Sequence, residues 1–204
     1  MNIFCKRVNI KVKMNKCILV GNSSSALNKG LGSYINSFEN VIRFNRFRIK
    51  EHEKDLGIKC THWVLNYPLV TDNRNYLVKN ISEVNSNTTG LKQALILTTS
   101  KDIKKIDKIK RDIKYKCLEE KFFIEVICKK YKSPFNYKPT TGYLTVKYFL
   151  DYFPKLTLVG FDFGKSNHYW GNYGIADVPQ SKHEWGKEKK YINSLVKQNK
   201  IEVI

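Results

Sequence analysis

Apolar residues gather in short runs separated by polar turns. Cys17-Ile-Leu-Val20 is a continuous apolar run that breaks at Gly21 into Asn22-Ser-Ser-Ser25. A run of that kind, bounded by Gly, Asn and Ser, reads as a buried central strand of a parallel sheet. Asn40–Asn45 alternates instead, with Val41, Arg43 and Asn45 on one face and Ile42 and Phe44 on the other. Thr61–Asn66 reads as a third strand, closed by Tyr67-Pro68, and Gln93–Thr99 as a fourth around Ala94–Leu97. Cys117–Lys132 is ambiguous, although Phe122–Ile127 is compatible with a strand. Leu156–Phe163 is a strong buried strand pattern, and Ile201–Ile204 reads as the last strand.

Helical patterns fill the intervals. Asn22–Ser33 reads as a polar loop leading into a short helix, and Glu51–Lys59 as a charged connection. Asn73–Asn87 is polar, part helix and part loop. Ile103, Ile106, Ile109 and Ile113 give Lys101–Lys116 one apolar stripe and a solvated basic face. Pro139-Thr-Thr-Gly142 opens a helix carrying Leu144, Val146, Phe149, Leu150 and Phe153, which Pro154 ends. Gly164–Lys182 is a long loop rich in aromatics, and Glu184–Gln198 is helical. Strands alternating with helices predict an α/β fold: a single-domain, Rossmann-like three-layer sandwich with a mainly parallel sheet. Such sheets bind ligands at the carboxyl ends of their strands, which makes Gly21–Ser25 the first candidate site.

Composition narrows the classes. At 204 residues and 42% hydrophobic, the chain can bury a real core. Residues 1–14 read as a basic extension or an edge strand, and residues 15–204 as the one domain. No run approaches the length of a membrane span, and Met1–Met14 lacks the apolar core of a signal peptide. The expected location is therefore cytoplasmic. The net charge of +19 suits an anionic partner, and adds peripheral contact with an anionic membrane to that expectation. Five cysteines in no C-x-x-C spacing predict free thiols.

Polar clusters follow the strands or open the helices: Asn22-Ser23, Asn45, Thr140-Thr141-Gly142 and His168-Tyr169-Trp170, with His183 and Glu188 further on. Taken singly, a polar turn is usually only a turn, Asn45 a strand-end cap, and His168 a packed surface histidine. Taken in order, the set resembles the sialyltransferase family of eukaryotic type. Cys17–Ser23, continued by Val41-Ile-Arg-Phe-Asn45, Glu53–Gly57 and Thr61-His62, is similar to the long sialylmotif. Pro139–Gly142 with Leu158–Phe161 is similar to the short motif. His168-Tyr169-Trp170 resembles the third motif, and His183 with Glu188 the very short one.

The resemblance implies a GT-A-like variant of the fold and an inverting transferase using CMP-sialic acid. It implies that Asn22, Ser23 and Asn45 contact the CMP moiety. Thr140, Thr141 and Gly142 would hold the cytidine, ribose or sialyl carboxylate, and Gly160 would give the nucleotide close backbone access. His168 would assist the departing phosphate and His183 would be the general base, with Tyr169 and Glu188 in support. Histidine suits the base role because its ordinary pKa lies near neutrality. In the family the long-motif cysteine pairs with one in the short motif. Leu150–Phe153, where that partner would fall, has none, so Cys17 is expected to be a free thiol. The Golgi anchor and stem are expected to be missing too.

No metal site or other cofactor is expected, since Asp162 lacks a second aspartate two positions on and a CMP sugar carries a single phosphate. The acceptor is expected to be a glycan or a lipid-linked oligosaccharide. CMP-Kdo offers the same carboxylate and leaving group, so it is an alternative donor. Nucleic acid is not an expected partner of the transferase. The competing class is a non-catalytic basic module for nucleic acid or acidic lipid.

Overall fold

A computed structural model describes residues 16–66, 88–91, 93–97, 123–127, 139–169 and 183–204. Its strands are β1 (Cys17–Val20), β2 (Asn40–Phe44), β3 (His62–Asn66), β4 (Gln93–Leu97), β5 (Phe123–Ile127), β6 (Leu156–Val159) and β7 (Ile201–Val203). Among the described residues they form one seven-stranded sheet in the order β5-β4-β3-β2-β1-β6-β7. Every neighbouring pair is parallel. The chain steps outward from β1 to β5, then returns to place β6 on the other side of β1. The winding therefore reverses between β1 and β6, where open α/β sheets form their ligand crevice.

Among the described residues the α-helices are α1 (Gly32–Asn36), α2 (Glu53–Leu56), α3 (Thr141–Phe149) and α4 (Trp185–Lys197). Alternate residues of β1 feed two separate cores. Cys17 and Leu19 join Ile42, Phe44, Leu158, Val146 and Phe149 of α3, and Ile192 and Leu195 of α4. Ile18 and Val20 face the opposite way, onto Val41, Val159, Ile35 of α1 and Leu56 of α2. Helices thus cover both faces, which explains why β1 is buried at all four positions.

Several boundaries differ from the sequence expectation. The fifth strand forms, at Phe123–Ile127. The sixth stops at Val159 rather than Phe163, because Gly160 takes φ +70° and turns the chain out of the sheet. The charged connection contains α2, a single turn closed by Gly57 at φ +62°. The regular part of α3 ends at Phe149, although Phe153 N–H still donates to the Phe149 carbonyl at 2.9 Å. The helix expected over 101–116, the polar stretch 73–87, residues 1–14 and Trp170 lie outside the described residues.

Arg43 is 1% exposed, and among the described residues no carboxylate is its ion-pair partner. Its Nε donates to the Lys59 carbonyl at 3.0 Å, and its Nη2 to those of Leu56 at 2.5 Å and Gly57 at 3.2 Å. A cation on the last carbonyls of α2 complements the negative end of that helix. Burial lowers the Arg43 pKa, and Nη1 is buried with no hydrogen-bond partner. Cys17 and Cys60 are buried free thiols. Desolvation pushes Cys17 above the usual thiol range and Cys60 up to about 12, so neither is a nucleophile.

Candidate active site

The carboxyl ends of β2, β1 and β6 lie side by side at the reversal of the winding, the place where such sheets form a ligand crevice. Its tight point is the crossing of Gly21 and Gly160. A Cβ at Gly21 would overlap the Gly160 carbonyl oxygen and lie 2.9 Å from its carbon. A Cβ at Gly160 would lie 3.0 Å from the Gly21 oxygen and 3.1 Å from the Ala26 Cβ. Gly160 therefore serves a crossing of two backbones. The packing gives Gly21 as its near neighbour.

Asn22 follows this crossing. Its Nδ2 donates to the carbonyls of Phe44 at 3.2 Å and Arg46 at 2.9 Å. Those two acceptors fix the amide's orientation, so Oδ1 is the remaining valence, and it is buried without a partner. Asn45, at the end of β2, sits in the left-handed region at φ +46°. Its amide N–H donates to Val64 O at 2.7 Å, and its carbonyl accepts from Trp63 Nε1 at 2.6 Å. Its Nδ2 reaches Thr141 Oγ1 at 3.4 Å, the long limit of a hydrogen bond. The backbone of Asn45 is firmly held, and its side chain lies beside the opening of α3.

Thr140 is the N-cap of α3. Its Oγ1 accepts from Tyr143 N–H at 3.1 Å and donates to Glu188 Oε2 at 2.7 Å, and its amide donates to Glu188 Oε1 at 2.8 Å. The Thr140 hydroxyl therefore spends its proton inside the protein, on Glu188. The amides of Thr141 and Gly142 are the first of α3 and have no intrahelical carbonyl to meet. Gly142 packs under Phe161, whose Cε1 would lie 3.0 Å from an added Cβ.

Ser23 is likewise committed. Its Oγ donates to Ser25 Oγ at 2.8 Å, accepts from Ser25 N–H at 3.0 Å and bonds Ser166 Oγ at 2.8 Å. One proton and two lone pairs are then all in use. Ser23 is 7% exposed and ties the turn internally.

The arm after β6 brings in the histidines. Asn22 O accepts from Tyr169 N–H at 3.0 Å, and Asn167 O accepts from Ser24 N–H at 2.9 Å, so Ser23 and His168 form an antiparallel bridge. The His168 ring reaches solvent. Its partly desolvated surroundings lower its pKa, and the Asp162 carboxylate opposes that shift. Asp162 Oδ1 accepts from Gly164 N–H at 3.1 Å, while Oδ2 is buried without a partner. Tyr169 OH accepts from Arg48 N–H at 3.3 Å, and burial pushes its pKa up to about 12.

Gly164, at φ +77°, lies against the indole of Trp185, where a Cβ would come 2.9 Å from Cε2. Trp185 opens α4, and the His183 ring stands 5.4 Å from it, centroid to centroid. Glu188 is 2% exposed. Desolvation raises its pKa, against the two Thr140 bonds and the charge of His183. Both Glu188 oxygens go to Thr140, so Glu188 joins the start of α3 to α4. Sequence reasoning missed Ser166, Asp162 and Trp185, for which only Gly164 beside an aromatic run offered a hint of a tight turn. Among the described residues, no cluster of three His, Cys, Asp or Glu could hold a metal.

Comparison with known proteins adds lineage to this geometry. The model of Glycosyltransferase family 29 (sialyltransferase) matches residues 5–200. A CMP-N-acetylneuraminate-beta-galactosamide-alpha-2,3-sialyltransferase 1 from Sus scrofa is 27% identical over 94% of this chain and 58% of its own length. A CMP-N-acetylneuraminate-beta-1,4-galactoside alpha-2,3-sialyltransferase from Rattus norvegicus is 48% identical over 46 residues, 12% of its length. The chain thus spans less than two thirds of either relative. A mammalian sialyltransferase crystal structure superposes with TM-score 0.63 at 20% identity, over 95% of this chain and 70% of that one. The sialyltransferase CstII from Campylobacter jejuni, solved with the substrate analogue cytidine-5'-monophosphate, superposes with TM-score 0.60 at 17% identity, over 94% and 79%.

Proposed function

The chain belongs to glycosyltransferase family 29, the sialyltransferases, and from that premise we propose that it is an inverting transferase of sialic acid from CMP-sialic acid to a glycan hydroxyl. The observation that carries the reading is the crevice at the β1–β6 reversal. Two asparagine amides, the open start of α3 and an arm bearing His168 meet there, with His183 joined to that arm through Trp185. The buried, unpartnered Oδ1 of Asn22 suits a donor group of the nucleotide, such as a ribose hydroxyl or the cytosine amine. Asn45, beside Thr141 at the opening of α3, offers a second amide to the ligand. The free amides of Thr141 and Gly142, at the positive end of α3, suit a phosphate or carboxylate.

The reaction asks little of an acid, because a nucleotide phosphate already leaves well. His168 donates a hydrogen bond, or positive charge, to the leaving phosphate. His183 takes the proton of the acceptor hydroxyl. The acceptor oxygen then bonds the anomeric carbon as the bond to the CMP oxygen breaks, and the electron pair departs with CMP. Attack from the face opposite CMP inverts the centre. Glu188, held to Thr140 and sensing the charge of His183, keeps base and donor helix in one frame.

The test is incubation with CMP-sialic acid and, separately, CMP-Kdo across a panel of glycan and lipid-linked acceptors, reading CMP release. Release from CMP-sialic acid is the expected result. Preferential use of CMP-Kdo would reassign the donor. No release from either, with salt-sensitive binding of polyanions, would favour the basic module, which family membership argues against. Metal independence belongs to the same proposal: activity lost on stringent chelation and restored by a divalent cation would overturn it. So does a cytoplasmic, membrane-peripheral location, which the free thiols and the +19 charge support. Cell fractionation with a flotation assay tests it.

A further inference from the structure

The arm from Gly160 to Tyr169 departs sharply from ordinary backbone. Gly160, Phe163 and Gly164 take φ of +70°, +59° and +77°. Phe163 carries a side chain there, a conformation that persists only where the surroundings over-determine it. The surroundings supply three ties. Asp162 Oδ1 accepts from Gly164 N–H. The Trp185 indole packs on Gly164. Beyond that point the arm is held to the β1 turn by two backbone bonds, Ser24 N–H to Asn167 O and Tyr169 N–H to Asn22 O. Ser166 lies between the Gly164 turn and that short ladder. Its hydroxyl meets Ser23 Oγ at 2.8 Å, across 143 residues of sequence, and adds a side-chain rung where backbone pairing has not yet begun.

We infer that Ser166 is a positioning residue: its clasp on Ser23 holds the segment carrying His168 at a fixed spacing from the turn carrying Asn22. It touches none of the reacting atoms. Without the clasp, the arm would be free to pivot from Gly164 up to the ladder. His168 would then be placed by the two flanking backbone bonds alone, and its spacing from a nucleotide held by Asn22 would loosen. The inference rests on the transferase reading and deepens it, since it assigns the spacing between nucleotide and leaving phosphate to one hydroxyl pair.

The experiment compares Ser166→Ala, Ser166→Thr and Ser23→Ala in the full chain. It reads kcat, donor KM, melting temperature, and backbone amide exchange at Ser24 and Tyr169. Ser166→Ala should lower kcat by roughly tenfold or more, as small misplacements in active sites do. Donor KM should stay within about twofold, because the nucleotide contacts remain. Ser166→Thr, which keeps a hydroxyl, should restore most of kcat. Both alanine variants should speed exchange at Ser24 and Tyr169. Wild-type kcat in Ser166→Ala would overturn the inference. So would a raised KM at constant kcat, which would mark a direct donor contact, or equal losses in the Ala and Thr variants. If the wild-type chain turns over no donor, the transferase reading falls by itself. The exchange rates still decide the clasp, and unchanged exchange in Ser166→Ala would then refute it.

Discussion

The turn after β1 and the arm after β6 leave the sheet side by side, at Gly21 and Gly160, yet different forces hold them. The β1 turn is held by side chains. Asn22 spans to two carbonyls at and just past the end of β2, and Ser23 caps the short helical turn Ser24–Ala26 in extended conformation. The β6 arm is held mainly by its unusual backbone, packed under an indole and paired in a borrowed ladder, with Asp162 and Ser166 as its side-chain ties. The first can be read from residue types, since Asn and Ser in a turn announce their hydrogen bonds. The second is a tertiary arrangement, and it carries the histidine. A site assembled from one locally specified piece and one context-dependent piece should fail in different ways when each is cut.

The largest effect is expected at the crossing itself. Gly21→Ala drives a Cβ into the Gly160 carbonyl, where neither backbone can yield cheaply. It should cost about 3 kcal/mol or more in urea unfolding. A cost within about 1 kcal/mol would show that the crossing can relax. Gly160→Ala combines φ +70° with contacts of 3.0 and 3.1 Å. It should cost about 2 kcal/mol. Gly30→Ala is its control: φ +63°, with nothing within 4 Å. That control should cost only about 1 kcal/mol, the backbone part alone. Equal costs at the two positions would mean that packing on Ala26 contributes nothing.

Glu188 sharpens the comparison, because it links the donor helix to the base. Its pKa is raised, chiefly by desolvation. The folded state therefore holds its proton more tightly than the unfolded chain. The stability this contributes is complete below an ordinary glutamate's pKa, and is lost as pH rises to the raised value. Glu188→Gln should remove that part of the pH slope in a melting-temperature series. It should cost about 1 kcal/mol below that range, where one Thr140 bond is poorer. An unchanged slope would mean that Glu188 does not titrate with folding. The smallest effect is expected at Asp162. Its carboxylate favours the charged form of His168, so Asp162→Asn should lower the His168 pKa in an NMR titration of the ring. A raised or unchanged value would remove Asp162 from the electrostatics of the arm.

Much of the frame was legible because burial on both faces writes itself as apolar runs. Cys17–Val20 was bounded correctly, and the alternation of Asn40–Asn45 assigned Val41 and Ile42 to opposite cores. The family motifs located the asparagines, the start of α3 and both histidines. What stayed hidden depended on partners distant in sequence. Leu156–Phe163 looked like one strand because Phe161 and Phe163 are apolar, but they pack outside the sheet after Gly160 turns. The internal partners of Ser23 and Thr140 could not be read, because a polar residue's valences cannot be counted before its neighbours are known. Ser166 and Glu188, their partners, come from other elements. Arg43 gave no sign that its guanidinium ends on three carbonyls around α2.

The most direct measurement of the central claim, a CMP-sugar site at the β1–β6 reversal, is a side-chain amide NMR titration. CMP is added to the full chain, with AMP as the control, and the Asn22 and Asn45 NH2 resonances are followed. The account predicts saturable shifts of both amides with CMP and markedly weaker ones with AMP. Shifts confined to other residues, or equal response to the two nucleotides, would contradict it.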